Sequence, residues 1–442
     1  MSARAVALQT LYAIAQKDAW ANGYLKKAIE GAGLDRRDAA LATRLTLGVL
    51  QNRILLDYYL DAYSKIKLKK MEQKIADNLR LGLYQMLFMD KIPQSAAVSE
   101  AVNLTRKYAK NPKASGMVNG ILRAIGRSLN DLPPIRGKTV IERLALQYSH
   151  PWWLVEEFAA YLPMDEVEKL LALHNGQGET TVQVNITRAD VETVAASLES
   201  DEANVIRHPW LPDCLILSAT GSMEALEAFQ KGWIYVQDPA ARLSVLAAAP
   251  QPGSTVLDVC AAPGGKSFAS AIAMGNKGTV LACDIYPHKQ EIISLGAKRL
   301  GLNIIEAKVQ DAAVENPKWN AAFDTVIADV PCSGLGVIRK KPEIRYKNPE
   351  LMQGLPALQA AILQNAASYV KPGGILLYST CTQRKEENEE VVTAFLAENS
   401  QFSPEEFSLP APIGKANGGM LTLWPHRAKT DGFFIAKLRR SL

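Results

Sequence analysis

Two cysteines stand out among the residues that can do chemistry. Cys332 lies in "ADVPCSGLG" and Cys381 in "YSTCTQRKEEN", each in a turn rich in Gly, Ser or Thr at the end of an apolar run. If those runs are neighbouring strands, their ends lie about 5 Å apart and both thiols face one crevice. A lone cysteine is more often a small buried hydrophobe. A pair at adjacent strand ends beside a ligand pocket reads as nucleophilic chemistry, because a thiolate attacks well and still leaves tolerably. A zinc deaminase would need P-C-x-x-C, and after Pro331 and Cys332 the required position holds Leu335. A redox dithiol fits the geometry but leaves the neighbouring turn and carboxylates unexplained. Cys214, Cys260 and Cys283 complete a set with no C-x-x-C pair. That set is too sparse for a disulfide scaffold and accords with a reducing cytoplasm.

The second chemical feature is "VLDVCAAPGGKSFASAIA", from Val256 to Ala273. An apolar run ends in the Gly264-Gly265 turn and continues as a helix. Gly265, Lys266 and Ser267 match the end of the phosphate-loop pattern, but Cys260 replaces its first glycine, and Pro263 removes a donor and fixes φ. The dinucleotide pattern G-x-G-x-x-G is missing as well. What remains is a turn where a ligand approaches the backbone closely. Asp284 ends the next strand, where an acidic residue grips ribose hydroxyls. Asp311 ends the third, where a carboxylate can accept from an adenine amino group. Singly, either is as well read as a helix cap. In series they imply a nucleoside with no demand for phosphates, and S-adenosylmethionine is such a ligand.

A third feature is basic. "GVIRKKPEIRYK" follows the Pro-Cys turn directly, so Arg339, Lys340, Lys341, Arg345 and Lys347 are candidates for RNA phosphate contacts, with Tyr346 available to stack. The alternative is a solvated charged loop. "YSKIKLKK", with Lys65, Lys67, Lys69 and Lys70, and the helix end at Arg106 and Lys107 offer a second basic surface. The formal net charge of +5 in 442 residues is compatible with a nucleic-acid partner and equally with an ordinary surface.

These residues need elements to position them. Residues 1–138 read as a helical domain: "ARAVALQTLYAIAQ", "ADNLRLGLYQMLFM" and "SAAVSEAVNLTRKYA" carry helical spacing, with Ser95 a candidate N-cap, before the linker-like "NDLPPIRGKT". Residues 139–240 read as a small α+β domain, with strands at "TTVQVNI" and "CLILSA" and a helix at "RADVETVAASLES". Residues 241–442 alternate strand and helix, with strands at "TVLDV", "TVLACD", "NIIEAKV", "FDTVIADV", "GILLYSTC", "MLTLWP" and "GFFIAKL". Near-continuous apolar strands with helices between them predict a parallel, doubly wound α/β sheet that binds ligands at its strand ends. The N-terminus lacks the continuous apolar core and cleavage site of a signal peptide, and no run approaches the roughly 18 apolar residues of a membrane span.

In this order, "DVCAAPGGKS", "DVPCSG" and "YSTCT" resemble the RNA cytosine-C5 methyltransferases. "AVSEAVNLTRKYA" followed by "MVNGILRAI" is similar to the last two helices of the NusB-type RNA-binding fold, and the pairing resembles the bacterial 16S rRNA cytosine-C5 methyltransferase B subfamily. The resemblance implies a multidomain chain: an all-α NusB-like domain, a small α+β domain and a Rossmann-like S-adenosylmethionine-dependent catalytic domain. It makes Cys381 the nucleophile and Cys332 the aid to product release. It lines the methionine moiety with Cys260, Ala261, Ala262, Pro263, Gly264, Gly265 and Lys266, gives ribose to Asp284 and adenine to Asp311, and sets Asp329 and Lys266 near the target base.

The chemistry then explains the residue types. C5 of cytosine is a poor nucleophile until a thiolate adds at C6 and makes it enamine-like. A base inside a helix cannot reach such a pocket, so the target is single-stranded or flipped out. The expected partner is 16S rRNA, with no membrane, no metal and no obligate protein partner, in a cytoplasmic monomer. The rival from another class is a non-enzymatic, antitermination-like RNA-binding protein, which would not need Cys332, Cys381 and the carboxylate series. A methyltransferase for protein or small molecules would not need two thiols.

Overall fold

Runs of Ala, Leu and Val at helical spacing dominate the first third of the chain, and they form helices. The computed structural model describes residues 1–17 and 21–442. The chain divides into two compact units, residues 1–177 with 338–347, and residues 178–337 with 348–442.

In the first unit α1 (Ala3–Lys17), α2 (Ala21–Ala32), α3 (Arg36–Tyr63), α4 (Gln73–Phe88), α5 (Gln94–Tyr108) and α6 (Ser115–Arg127) precede α7 (Val140–Gln147), α8 (Trp152–Ala159) and α9 (Met164–His174). Leu8, Leu45, Leu56, Leu60, Leu79, Leu83, Val118 and Leu122 share one core, each worth about 1.5–3 kcal/mol of burial. The helices approach closely where glycine allows it: a Cβ on Gly48 would stand 2.0 Å from the Tyr84 ring. Asp35 caps α3, its carboxylate accepting from the Asp38 N–H at 2.8 Å. Helix α5 begins one residue before Ser95, so Pro93 holds the cap position and the expected Ser95 cap is corrected. Proline is suited to a helix start because it has no amide hydrogen to leave unbonded.

The second unit opens with β1 (Thr180–Val184), α10 (Val191–Ser200), β2 (Asn204–Arg207), β3 (Cys214–Ser218), α11 (Glu227–Gln230) and β4 (Ile234–Val236). Its sheet has the order β2-β3-β1-β4 with antiparallel pairs throughout. Val182, Val184, Leu215 and Leu217 pack on Val194 and Leu198 of α10. The edge strands β2 and β4 escape the sequence reading. They are short, and β2 is mostly exposed, so neither shows alternation.

There follow α12 (Pro239–Ala248), β5 (Thr255–Asp258), α13 (Gly265–Ala273), β6 (Thr279–Asp284), α14 (Pro287–Leu300), β7 (Ile305–Val309), β8 (Phe323–Asp329), α15 (Leu355–Tyr369), β9 (Val370–Thr380) and α16 (Glu389–Glu398). The chain closes with β10 (Phe402–Pro404), β11 (Phe407–Leu409), β12 (Gly414–Ala416), β13 (Met420–Leu423), α17 (Pro425–Ala428) and β14 (Phe433–Arg440). The large sheet runs β10-β14-β9-β8-β5-β6-β7, with β13 beside β14. Strands β5 to β9 are mutually parallel, and the strand order reverses at β5.

The expectation of a parallel sheet is corrected at one edge: β14 runs antiparallel to β9, and β10 and β13 each pair antiparallel with β14. Only the short α17 separates β13 from β14, too little chain for a parallel crossover of a dozen or more residues. Strand residues alternate between two cores. Val256, Ile327, Leu377 and Ile435 meet Ala269 and Ile272 of α13 on one face. Leu257, Val326, Leu376 and Phe434 meet Ile362 and Leu363 of α15 on the other. Among the described residues no helix is long and apolar enough to cross a membrane.

Candidate active site

The reversal at β5 opens a crevice at the carboxyl ends of the parallel strands, and the candidate residues gather there. Strand β8 pairs with β9 so that Asp329 lies beside Ser379. Cys332 and Cys381 follow just past these positions, and their sulfurs lie 3.2 Å apart. That is contact distance and well beyond the roughly 2.05 Å of a disulfide. The Cys381 carbonyl accepts from the Gly336 N–H at 2.9 Å. Gly336 tolerates no side chain, since a Cβ there would stand 2.0 Å from the Gly432 carbonyl oxygen. The Cys332 thiol is pushed well up, first by its hydrogen bond with Cys381, then by burial, then by the charges of Cys381, Glu387 and Asp329.

Lys266, in the first turn of α13, points across the crevice and its Nζ lies 2.7 Å from Asp329 Oδ2. Ser379 Oγ donates to the other Asp329 oxygen at 2.7 Å. The ammonium also stands 5.1 Å from the centre of the Phe433 ring, and Phe433 and Phe434 are core residues. Asp258 at the end of β5 is fully buried and accepts from Ser267 Oγ at 2.7 Å. Burial pushes its carboxyl up to about 7, against the Ser267 bond and the Lys266 charge, with Asp329 adding to the rise.

The turn from Cys260 to Gly264 carries the features of a ligand cradle. Gly264 has φ of +111°, and a Cβ on it would stand 2.3 Å from the Phe268 ring. The conformation needs glycine for both reasons. A Cβ on Gly265 would stand 3.1 Å from Gln237 Nε2, a buried nitrogen with no hydrogen-bond partner among the described residues. Ala261 is buried, Ala262 half-buried and Pro263 exposed, and burial raises the Cys260 thiol well above its ordinary value. Asp284 is buried at the end of β6, and its contacts with the Tyr286 N–H at 3.3 Å and the Lys289 ammonium at 3.5 Å both fall on Oδ1. Asp311 lies two residues beyond β7 rather than at its end, half-buried, accepting from the Ala313 N–H at 2.9 Å. The donor and acceptor set suits a nucleoside with an amino-acid tail: carboxylates at and just past the strand ends and, among the described residues, an orphaned buried donor at the glycine turn.

The basic segment divides. Arg345 is fully buried in the first unit, donating to the carbonyls of Gln51 at 2.9 Å and Ser149 at 3.0 Å and to Asn175 Oδ1 at 3.0 Å. Burial pulls its guanidinium down to about 10. The neighbouring His150 is buried and its imidazole pushed well down, by burial first and then by Arg345. The Tyr346 hydroxyl donates to the Leu50 carbonyl at 2.7 Å, with Arg53 over its ring. The Arg345 side chain is not presented to RNA, so its reading as a phosphate contact is corrected to an internal brace, while Tyr346 is half-buried. Arg339 and Lys340 are half-buried, and Arg339 Nε donates to the Gln177 carbonyl at 2.8 Å. Lys341 is exposed.

Ser379, Asp258, Gln359 and Glu387 also belong to this region, and the sequence reading does not single them out. Ser379 had a signal, its place beside Cys381 in "YSTCT". Glu387 sits in a charged run that reads as a solvated helix start.

Three family models match the chain: 16S rRNA methyltransferase RsmB/F over residues 245–439, the NusB family over residues 1–127, and the ferredoxin-like domain of RsmF/B-like methyltransferases over residues 150–224. The chain is similar to the Probable ribosomal RNA small subunit methyltransferase B of Bacillus subtilis (strain 168), with 38% identity across 99% of each chain. Its identity to the Ribosomal RNA small subunit methyltransferase B of Escherichia coli O1:K1 is 31%, covering 91% of this chain and 90% of the other. The crystal structure of PH0851 superposes with a TM-score of 0.83 at 27% identity, over 100% of this chain and 99% of that one. These matches bear out an all-α NusB domain, a ferredoxin-like middle domain and a Rossmann-like methyltransferase domain.

Proposed function

The chain belongs to the 16S rRNA methyltransferase RsmB/F family, in its small subunit methyltransferase B branch, and on that premise we propose that it methylates C5 of a cytosine in 16S rRNA through a covalent adduct. The observation that carries this reading is the contact of two thiols at neighbouring strand ends, 3.2 Å apart, beside the Lys266–Asp329 pair.

S-adenosylmethionine, when bound, supplies an electrophilic methyl group. The glycine turn from Cys260 to Lys266 would hold its methionine part, Asp284 its ribose hydroxyls and Asp311 its adenine. The remaining work falls to this chain's own side chains. Cys381, as thiolate, adds to C6 of the flipped-out cytosine. The S–C6 bond forms, the C5–C6 double bond opens, and its electron pair makes C5 nucleophilic. Density that spreads onto the ring would be neutralised by a proton shared between cytosine N3 and Asp329, which is held by Lys266 and Ser379. After C5 is methylated, its hydrogen passes as a proton to the Cys332 sulfur, acting as thiolate, the double bond re-forms, and Cys381 departs with the S–C6 electron pair. Cys332 attends this release.

The residues divide the labour of recognition. Arg339, Lys340 and Lys341 would contact RNA phosphates, and the helical domain, residues 1–138, would bind structured rRNA through surfaces such as Lys69–Lys70 and Arg106–Lys107. Residues 139–240 would link it to the catalytic domain at 241–442. This assigns the protein to the cytoplasm, where its substrate is made.

Transfer of label from methyl-labelled S-adenosylmethionine to rRNA, followed by nucleoside analysis, tests the reading. Label in 5-methylcytidine is expected. Label confined to another nucleoside, or to protein, would overturn it.

A further inference from the structure

The segment that carries Cys332 has a support that the chemistry above does not use. Glu387, in the turn Lys385–Glu387 shortly after Cys381, is fully buried. Its Oε2 accepts from the Ser333 backbone N–H and from Gln359 Nε2, each at 2.9 Å. The same Gln359 nitrogen donates to the Pro331 carbonyl at 2.9 Å. Pro331 and Ser333 flank Cys332 on either side. The brace is anchored to β9, because the Tyr378 hydroxyl donates to the Glu387 carbonyl at 2.6 Å. Ser333 Oγ reaches Thr382 Oγ1 at 2.9 Å, joining the two cysteine turns a second time.

A buried carboxylate is costly, and packing alone would be served better by an apolar residue of similar volume. Arg384 lies 3.5 Å from Oε1 and offsets part of that cost, while Oε2 supplies an acceptor for two N–H groups that set the height and direction of one loop. Resting on the covalent reading above, we propose that Glu387 is a positioning residue: through Gln359 and the Ser333 amide it holds Cys332 against Cys381, and so serves the release half of the reaction rather than the addition half. Its charge also contributes to the raised Cys332 thiol, behind the Cys381 contact and burial.

The first arm of the test needs neither RNA nor methyl donor. Diamide takes two electrons and two protons from a thiol pair and becomes the hydrazine as the S–S bond forms. In the full-length wild-type chain the Cys332–Cys381 bond is expected to form readily, and in Glu387→Gln about tenfold more slowly, the effect of misplacing one buried hydrogen-bonded loop. Gln359→Met, which removes only the strut and conserves volume, carries the same test if Glu387→Gln does not fold. Equal rates in wild type and variant would overturn the proposal, as would a wild-type chain that forms no such bond.

In the second arm, with rRNA and S-adenosylmethionine, Glu387→Gln should complete the first methyl transfer yet retain a covalent protein–RNA band with both cysteines present. A residue of merely structural importance would depress every step together and leave no band. If the cytosine chemistry itself is wrong, the band is missing while the diamide difference stands, so the two failures are distinguishable.

Discussion

At the scale of single residues, the carboxylates of the crevice differ in their surroundings. Asp284 is buried with both protein contacts on one oxygen, while Asp311 is half-buried and already caps a turn. Loss of a hydrogen bond to a charged group costs about 1.5–3 kcal/mol. Asp284→Ala is expected to weaken S-adenosylmethionine binding at the top of that range and Asp311→Ala at the bottom, both by calorimetric titration. Unchanged affinity in both variants would refute the cofactor assignment. ATP should give no comparable heat, because Cys260 and Pro263 replace the phosphate wrap.

Asp258 gives a signature in pH. Its folded carboxyl titrates at about 7, above the ordinary value of 3.8. Between those values the folded chain keeps a proton that the unfolded chain has released. The stabilisation is therefore complete below the ordinary value and is lost as pH rises through 7. From pH 5 to pH 8 the wild type should lose about 2–3 kcal/mol that Asp258→Asn keeps, measured by urea unfolding. Parallel profiles for the two chains would show that Asp258 is not proton-bearing.

At the scale of elements, the segment after the Pro-Cys turn combines two tasks. Its end is an internal brace. Arg345→Met should leave the carbonyls of Gln51 and Ser149 without their donor and cost about 2–4 kcal/mol of stability, seen as a lowered melting temperature. Its beginning is the basic stretch Arg339 to Lys341. Removing those three charges should leave methyl-donor binding unchanged and flatten the salt dependence of RNA binding, by about 0.7 in log–log slope for each lost single-strand phosphate contact. An unchanged slope would make the stretch a solvated face.

For the whole molecule, legibility followed the length and regularity of the pattern. Each of the strands read in the catalytic region is present, from "TVLDV" as β5 to "GFFIAKL" as β14, because each is a run of apolar residues bounded by turn residues. Their direction was less legible. Apolar content does not say whether a strand runs parallel, and the brevity of the β13–β14 connection signals only that this one pair is antiparallel. Short edge strands such as β2 bury too little to show a pattern.

The cysteines were legible as a pair because adjacent strand ends must converge. Arg345 was misread because a buried arginine and a solvated one are the same letter, and burial depends on contacts with residues such as Gln51 and Ser149 far away in sequence. Glu387 was missed for the same reason.

The central claim is that two thiols in contact act at opposite ends of one covalent cycle. It is tested most directly by a denaturing gel of the chain incubated with rRNA and S-adenosylmethionine. Cys332→Ala should add to the base, transfer the methyl group and stall at release, giving a shifted protein–RNA band. Cys381→Ala and the double variant should give none, because the adduct requires Cys381. A band from Cys381→Ala with none from Cys332→Ala would exchange the roles. No band from either single variant, with wild-type chain still producing 5-methylcytidine, would contradict covalent catalysis.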